Sequence, residues 1–176
     1  MPHVDFAALP DTARAWVFAA SRELQPAERD ELLAGVDRFL DSWVAHGVPL
    51  TCARDWRYDR FLVVGVDEAA AGVSGCSIDA LTQLLREVEQ RFAVTMLDHG
   101  PVLYRSGNTI SRESREEFGA LASTGQIDLD TIVFDNTIST VAALRAGEWE
   151  TAARSTWHGR AFFGVAPPPL SPSAGS

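Results

Sequence analysis

Six consecutive residues in the middle of the chain, Phe61 to Val66, contain no polar side chain. A strand with one solvated face alternates apolar and polar residues, so an unbroken β-type run is typical of a central strand covered on both faces. The preceding run, Leu50 to Trp56, predicts a neighbouring strand, and the charged residues Arg57 to Asp59 predict a turn. The sequence therefore predicts a hairpin whose second strand is central in a sheet.

Two amphipathic helices are predicted on either side of this hairpin. After Pro26, apolar residues recur at helical spacing from Leu32 to Trp43, and Gly47 ends the pattern. The second helix begins at Ser77, which is the expected N-cap, and its apolar residues continue at helical spacing to Phe92. Each helix therefore has one apolar face to bury against the sheet.

Two further strands complete the first part of the chain. Arg14 to Ala20 precedes the first helix, and Val94 to Leu97 follows the second. The resulting order, β-α-β-β-α-β, is the split β-α-β pattern of ferredoxin-like domains, in which an antiparallel sheet carries both helices on one face. We therefore predict an α+β protein with a ferredoxin-like domain at residues 1–99.

The next part of the chain predicts a small appended unit at residues 100–163. Val102 to Arg105 and Thr109 to Ser111 have the lengths and the spacing of a β-hairpin. Ser114 and Glu117 have the spacing of a capping box, which predicts a short helix directly after the hairpin.

The last third of the chain contains weaker signals. Thr131 to Phe134 predicts a short strand, and Thr140 or Ser139 is a candidate cap for a short helix. The aromatic residues near Trp157 could dock this segment onto the body of the protein or form an exposed strip that binds a partner, and we expect docking. Residues 164–176 are rich in proline and serine, and we expect them to be a disordered tail.

The charge composition excludes several classes of function. All 15 basic residues are arginine, and 24 acidic residues give a net charge of -9. Without lysine, the chain has no amine for a P-loop or a Schiff base. Without a basic patch, it is expected to bind neither nucleic acid nor an anionic membrane. No leader or membrane segment is evident, and two cysteines are too few for a disulfide framework, so we expect a cytoplasmic protein. We also expect the protein to have no cofactor.

Four motifs resemble those of an uncharacterised bacterial family. They are a Trp-containing helix end that closes with His-Gly, an Arg-Tyr-x-Arg-Phe entry to a strand, a Val-Asp-Glu exit and the signature Ser-Gly-Cys-Ser-Ile-Asp. In this chain they lie at Trp43 to Gly47, Arg57 to Phe61, Val66 to Glu68 and Ser74 to Asp79. Members of that family often carry the label "ABC transporter ATPase". The residues contradict ATP hydrolysis, because a P-loop requires a lysine.

A second resemblance covers Val102 to Ala152, which is similar to bacterial GYF-like adaptor modules. The shared features are a hairpin, a helix, a Gly-x-Ile-x-x-x-Thr-x-Val segment and a late tryptophan. In this chain the matching residues are Gly125, Ile127, Thr131, Val133 and Trp149. The Gly-Tyr-Phe triplet that binds proline-rich peptides in the eukaryotic relatives is absent, so the resemblance implies the shape of such a module and not its ligand.

The ferredoxin-like topology predicts one cluster of chemically active residues. The members that would share one edge of the sheet come from four points in the chain: His46 at the end of the first helix, Asp67 and Glu68 at the exit of the third strand, Cys76 and Ser77 at the start of the second helix, and Asp98 and His99 after the last strand. A thiol at a helix N-terminus has its anion stabilised by free N–H groups and the helix dipole. Cys76 would then be a nucleophile or a redox-sensing thiol, with a histidine as base and Asp98 orienting the imidazole.

Other interpretations of the same residues stay open. Ser74, Gly75 and Ser77 could form only a tight loop into a well-capped helix, with Cys76 as a small buried residue. The N–H groups of that loop could instead bind a phosphate or carboxylate ligand. No metal is expected, because structural zinc usually takes four ligands and no paired Cys or His motif supplies them. Cys52 lies in a predicted strand and is expected to be core.

Arginines and aromatic residues alternate with aspartates from Arg54 to Arg60. The guanidinium groups of this segment, that of Arg57 among them, and its aromatic rings could hold an anionic or planar ligand. Alternatively, the charged side chains could form a solvated network of ion pairs. Taken together, these features predict a small binding or interaction protein whose partner is a protein or a small anionic ligand. A homodimer or an exposed apolar patch is the expected sign of such a surface. The alternative is an enzyme or sensor dependent on Cys76.

Overall fold

The apolar run from Phe61 to Val66 forms the central strand of the first sheet in the computed structural model. The structure describes residues 3–69 and 75–166, and at residues 75–77 it describes only the backbone. The α-helices are α1 (Pro26–Asp41), α2 (Gly75–Phe92), α3 (Arg115–Ser123), α4 (Val141–Arg145) and α5 (Trp157–Phe163). The strands are β1 (Arg14–Ala19), β2 (Val44–Ala45), β3 (Val48–Pro49), β4 (Thr51–Arg57), β5 (Phe61–Asp67), β6 (Val102–Ser106), β7 (Thr109–Glu113), β8 (Ile132–Phe134) and β9 (Glu150–Ala152). The protein is therefore a mixed α+β chain with antiparallel sheets.

The chain divides into two units that are not continuous in sequence. The first unit is Met1–Gly100 together with Asn136–Trp149, and the second is Pro101–Asp135 together with Glu150–Ser176. Residues 136–149, which the sequence placed in the appended unit, thus lie in the first unit. The expected disordered tail begins at Gly164, and its residues 167–176 lie outside the part of the chain that the structure describes.

The first unit contains a three-stranded antiparallel sheet in the order β1-β5-β4. Val63 of the central strand pairs with Val17 on one side and with Asp55 on the other. Both long helices pack on the face that carries Leu62, Val64 and Val66. The helix residues buried there include Leu32, Val36 and Leu40 of α1 and Leu81 and Leu85 of α2.

The opposite face of the sheet is covered as well, which accounts for the unbroken apolar run. Leu9 and Val141 pack there in one buried cluster with Ala15 and Ala53. A Cβ atom added at Gly65 would lie 2.5 Å from Cδ1 of Leu9, so any larger residue would displace the Leu9 side chain. Both faces of β5 are therefore buried, as a central strand requires.

The predicted fourth strand, Val94 to Leu97, is wrong, because these residues form no strand. Val94 and Met96 are buried in alternation, which produced the strand-like pattern. The backbone N–H groups of Met96 and Leu97 donate to Oε1 of Glu89, at 2.7 and 2.9 Å. A carboxylate of α2 thus takes the hydrogen bonds that a sheet would have used.

The outer edge of β1 is occupied by a segment from much later in the chain. The N–H of Ala15 donates to the carbonyl of Ser139 at 2.9 Å, and the N–H of Val141 donates to Ala13 at 2.9 Å. These bonds flank an antiparallel bridge between Arg14 and Thr140. Residues of the 136–149 segment therefore satisfy backbone groups at this edge.

The second unit contains a four-stranded antiparallel sheet in the order β7-β6-β8-β9. The predicted hairpin is confirmed, with Gly107 at φ 61° in its two-residue turn. The predicted capping box is also confirmed, because the Ser114 side chain accepts from Glu117 N–H while the Glu117 carboxylate accepts from Ser114 N–H, both at 3.1 Å. Phe118 of α3 is fully buried and, with Trp157 and Phe162, belongs to the core of this unit.

Candidate functional site

His46 lies in a turn and not at the end of a helix. Helix α1 ends at Asp41, and the residues that follow form the short hairpin β2–β3. His46 and Gly47 have φ values of 51° and 78°, the left-handed pair that a type I′ turn requires. The predicted helix was too long because Trp43 keeps the helical spacing, although its side chain is buried at the start of the hairpin. His46 is exposed at the tip.

His99 and Asp98 follow the segment after α2, and both are exposed. The imidazole of His99 lies 6.4 Å from the ring of Phe18, measured between centroids. Oδ1 of Asp98 accepts from the backbone N–H of Gly100 at 3.0 Å, which fixes this carboxylate in a local turn. The predicted role of Asp98 in orienting an imidazole stays a prediction.

The cysteine loop is described only in part. Ser74 lies outside the described residues, and so do the side chains of Cys76 and Ser77. The helix begins at Gly75, so Ser77 is its third residue and not the predicted N-cap. Cys76 is the second residue of a helix of 18 residues. The predicted anion-binding and catalytic roles of this loop remain predictions.

Cys52 is a core residue, as the sequence predicted. Its side chain is 0% exposed, and its thiol donates to the carbonyl of Leu40 at 3.4 Å. Burial raises the pKa of the Cys52 thiol to about 12, because the thiolate would lose its hydration, and the charge of Asp41 adds to the effect. Cys52 is therefore an unreactive thiol at neutral pH.

The three arginines near the β4–β5 turn have different roles. Arg54 forms a bidentate ion pair with Asp37, with both distances 2.8 Å. Arg60 is 6% exposed and donates to the carbonyls of Ala20 and Ser21, at 2.9 and 2.7 Å. These two side chains hold the fold together.

Arg57 is only partly buried, with 33% of its side chain exposed. Its Nε donates to Asp55 at 2.8 Å, and its guanidinium lies 5.4 Å from the centre of the Trp149 ring. The same side chain lines a cavity of about 350 Å³ in the first unit. The cavity is lined by Asp5, Phe6, Ala7, Asp55, Arg57, Leu144 and Arg145.

The β2–β3 hairpin presents exposed apolar side chains. Val44 is 49% exposed and Val48 is 40% exposed. Among the residues that the structure describes, the one other large apolar or aromatic residue that is exposed is Tyr58, at 45%. From Ser42 to Ala53 the sequence has no acidic residue and no arginine. The hairpin therefore exposes two valines to water on a segment without Asp, Glu or Arg, with His46 between them in sequence.

His158 is a buried titratable residue that the sequence predicted only as part of a docking segment. It is 1% exposed, its Nδ1 lies 2.8 Å from Oγ1 of Thr156, and its ring stacks on Trp157. Burial lowers the pKa of His158 to about 4; the nearby Arg115 acts in the same direction, and Asp135 opposes it. The segment from Trp157 thus packs into the core of the second unit.

Three comparisons bear on the identity of the protein. No family model, curated protein or solved structure matches this chain. The two resemblances drawn from the sequence therefore stay predictions. Within residues 3–69 and 75–166, no helix combines the length and apolar character needed to cross a bilayer. Over the same residues, no group of His, Cys, Asp and Glu side chains is arranged to hold a metal ion.

Proposed function

We propose that this chain is a small cytosolic binding protein, without chemistry of its own, that contacts a protein partner through the β2–β3 hairpin. The observation that carries the proposal is the exposure of Val44 and Val48 on one uncharged hairpin. Val44 pairs with exposed Pro49 on one face of the hairpin, and Val48 pairs with Ala45 on the other face. Neighbouring exposed apolar side chains, such as those of Val44 and Pro49, are typical of interaction surfaces. The type I′ turn at His46 and Gly47 holds the two strands together, so the surface needs little ordering on binding.

The fold proposal that accompanies this function is a ferredoxin-like body with a GYF-like appendage. The strand order β1-β5-β4, with two helices on one face, supports the first assignment. The hairpin, the capped helix and the strand β8 support the second. Both folds serve as binding modules in many unrelated proteins, so the function is argued from the hairpin and not from the fold.

The partner that the hairpin fits best is a second copy of the chain. Two chains of net charge -9 repel each other, and contact through a segment without acidic residues keeps that repulsion lowest. Two valines per chain bury little area, so the dimer is weak, with a dissociation constant on the order of micromolar or above. Added salt strengthens it, because salt screens the repulsion and leaves the apolar contact intact.

Sedimentation velocity over a range of concentrations tests this proposal. The wild-type protein should form a dimer that dissociates on dilution, and the dimer fraction should rise when salt increases from about 50 mM to about 500 mM. The double variant Val44→Asp, Val48→Asp should be monomeric throughout. Tyr58→Asp adds one negative charge per chain, against two in the double variant, at another exposed site and should leave the dimer in place. A wild-type protein that is monomeric at every concentration and salt level would contradict the proposal.

The alternative function, a thiol enzyme or sensor, rests on Cys76 being the second residue of α2, where free N–H groups stabilise a thiolate. Labelling with iodoacetamide, resolved by mass spectrometry, compares the two cysteines in one sample. Cys52 should stay unlabelled up to about pH 9 in the folded protein, since its pKa is about 12, and should react fully in urea. Labelling of native Cys52 would show that its strand opens.

Cys76 decides between the two functions in the same experiment. If it labels with a midpoint well below the usual thiol value of about 8.5, and His46→Ala or His99→Ala moves that midpoint, the thiol function replaces the binding protein proposed here. If Cys76 labels with the midpoint of an ordinary thiol, or does not label at all, the loop has only a structural role. We expect the second result.

A further inference from the structure

The cavity beside Arg57 has the composition of a small-molecule site. Its volume of about 350 Å³ falls within the range of about 300 to 1,000 Å³ that is usual for ligand pockets. Phe6, Ala7 and Leu144 supply apolar walls, and the charged side chains of Asp5, Asp55, Arg57 and Arg145 complete the lining. A pocket with apolar walls and few polar groups orients a ligand through those polar groups.

Arg145 forms part of the wall and is occupied by other contacts. Its Nη1 forms an ion pair with Asp11, and its Nη2 donates to the carbonyls of Ala7 and Leu9 at 3.2 and 2.9 Å. These bonds tie the N-terminal segment to α4. Arg145 therefore fixes the shape of the cavity.

Arg57 is held in place from two sides and keeps donors to offer. Asp55 holds its Nε, and the Trp149 ring supports the face of its guanidinium. In residues 3–69 and 75–166, its two terminal nitrogens have no hydrogen-bond partner. A guanidinium fixed at Nε presents its terminal N–H groups in a planar fork that matches a carboxylate.

Among anionic ligands, the charges around the cavity disfavour a monoanion least. Asp5 and Asp55 balance Arg57 and Arg145 within the lining, and Asp11 adds one carboxylate beside Arg145. The carboxylates would repel a phosphate dianion, and one available guanidinium would have to offset that repulsion. A monocarboxylate carries half the charge, so the carboxylates repel it less while it binds the same guanidinium. The apolar walls stabilise an apolar or aromatic body attached to that carboxylate.

We propose that this cavity binds a small organic monocarboxylate with an apolar body. The carboxylate accepts from the terminal nitrogens of Arg57, and the body packs against Phe6 and Leu144. This site is separate from the β2–β3 hairpin, so it adds a ligand to the protein whether or not the hairpin forms a dimer.

Titration with 2-naphthoate, followed by two-dimensional NMR of the full chain, tests the site. The wild-type protein should bind it saturably, and the neutral 2-naphthamide should bind at least about tenfold more weakly, because it lacks the charge that Arg57 recognises. Inorganic phosphate should bind more weakly than 2-naphthoate. The resonances that shift should include those of Phe6, Ala7 and Arg57.

Two variants and one control complete the experiment. Arg57→Gln removes the guanidinium, and Ala7→Phe fills the cavity while leaving Arg57 in place; each should weaken 2-naphthoate about tenfold or more. Arg86→Gln removes an exposed arginine of α2 outside the cavity and should change nothing. Four results would each overturn the proposal: absence of saturable binding, equal affinity for the amide, tighter binding of phosphate, or full affinity in either cavity variant.

Discussion

Replacing Phe61 by alanine should lower the free energy of unfolding of the first unit by about 4 kcal/mol. Phe61 is 0% exposed, and its ring lies edge-on to Trp149 with centroids 5.0 Å apart. The ring also lies edge-on to Tyr58 at 6.4 Å. The substitution leaves a cavity and removes the edge-on contacts of the ring with Tyr58 and with Trp149, which is distant in sequence. The loss of these contacts adds to the loss of stability caused by the cavity.

Urea unfolding combined with hydrogen exchange of individual peptides measures this effect. Peptides from β5 and from residues 141–149 should lose protection together, because Phe61 and Trp149 pack against each other. Phe61→Leu fills most of the volume and should cost about 1.5 kcal/mol. Phe118→Ala, an equally buried phenylalanine of the second unit, should instead lower protection there. A loss below about 1 kcal/mol for Phe61→Ala would mean that the cluster does not stabilise the sheet.

Acidification from pH 7 to pH 4 should destabilise the second unit through His158 by about 3 kcal/mol. The pKa of this residue is about 4 in the folded protein and near 6.5 in the unfolded chain. Between these two values the unfolded chain binds a proton that the folded protein does not. Stability is therefore full above about pH 6.5 and falls as the pH decreases toward 4.

The pH dependence is measured by urea unfolding at several pH values, with exchange protection of α5 as the local signal. His158→Gln removes the titrating group, so the difference between wild type and variant isolates this residue from the carboxylates that titrate in the same range. His99→Gln removes an exposed histidine of the first unit and should leave the pH profile of the second unit as it is. The same slope in wild type and His158→Gln would contradict the assignment.

Local signals account for the parts of the fold that the sequence predicted. The β6–β7 hairpin depends on Gly107 in its turn, and α3 depends on the reciprocal bonds of Ser114 and Glu117. The central strand was evident because its apolar run leaves no face for water. In each case the residues that determine the structure lie within a few positions of one another.

The errors arise where distant groups compete for the same backbone. Val94 and Met96 alternate like a strand, but Glu89 takes the N–H groups of Met96 and Leu97. The edge of β1 pairs with Thr140, and no local pattern in either segment indicates the other. Helical spacing through Trp43 concealed a turn at His46, although the following Gly47 was a signal for it.

The candidate site shows the same limits. Arg54, Arg57 and Arg60 look equivalent in the sequence, and only their partners distinguish them. The walls of the cavity beside Arg57 come from Phe6 and Leu144, which are far from it in the chain. His158 drew no attention as a titratable group, because nothing in its neighbours in sequence indicates that it is buried.

Because residues 136–149 belong to the first unit, neither unit is continuous in the gene, and this bears on the origin of the protein. The chain leaves the first unit at residue 100, enters it again at 136 and leaves it at 149. Two ancestral genes joined end to end would cross between their products once, whereas this chain crosses three times. A gene truncated after codon 100 would encode a sheet that lacks Val141 on one face and Thr140 at one edge. Neither unit is encoded by one continuous stretch of the gene, so a single crossover cannot exchange either unit alone.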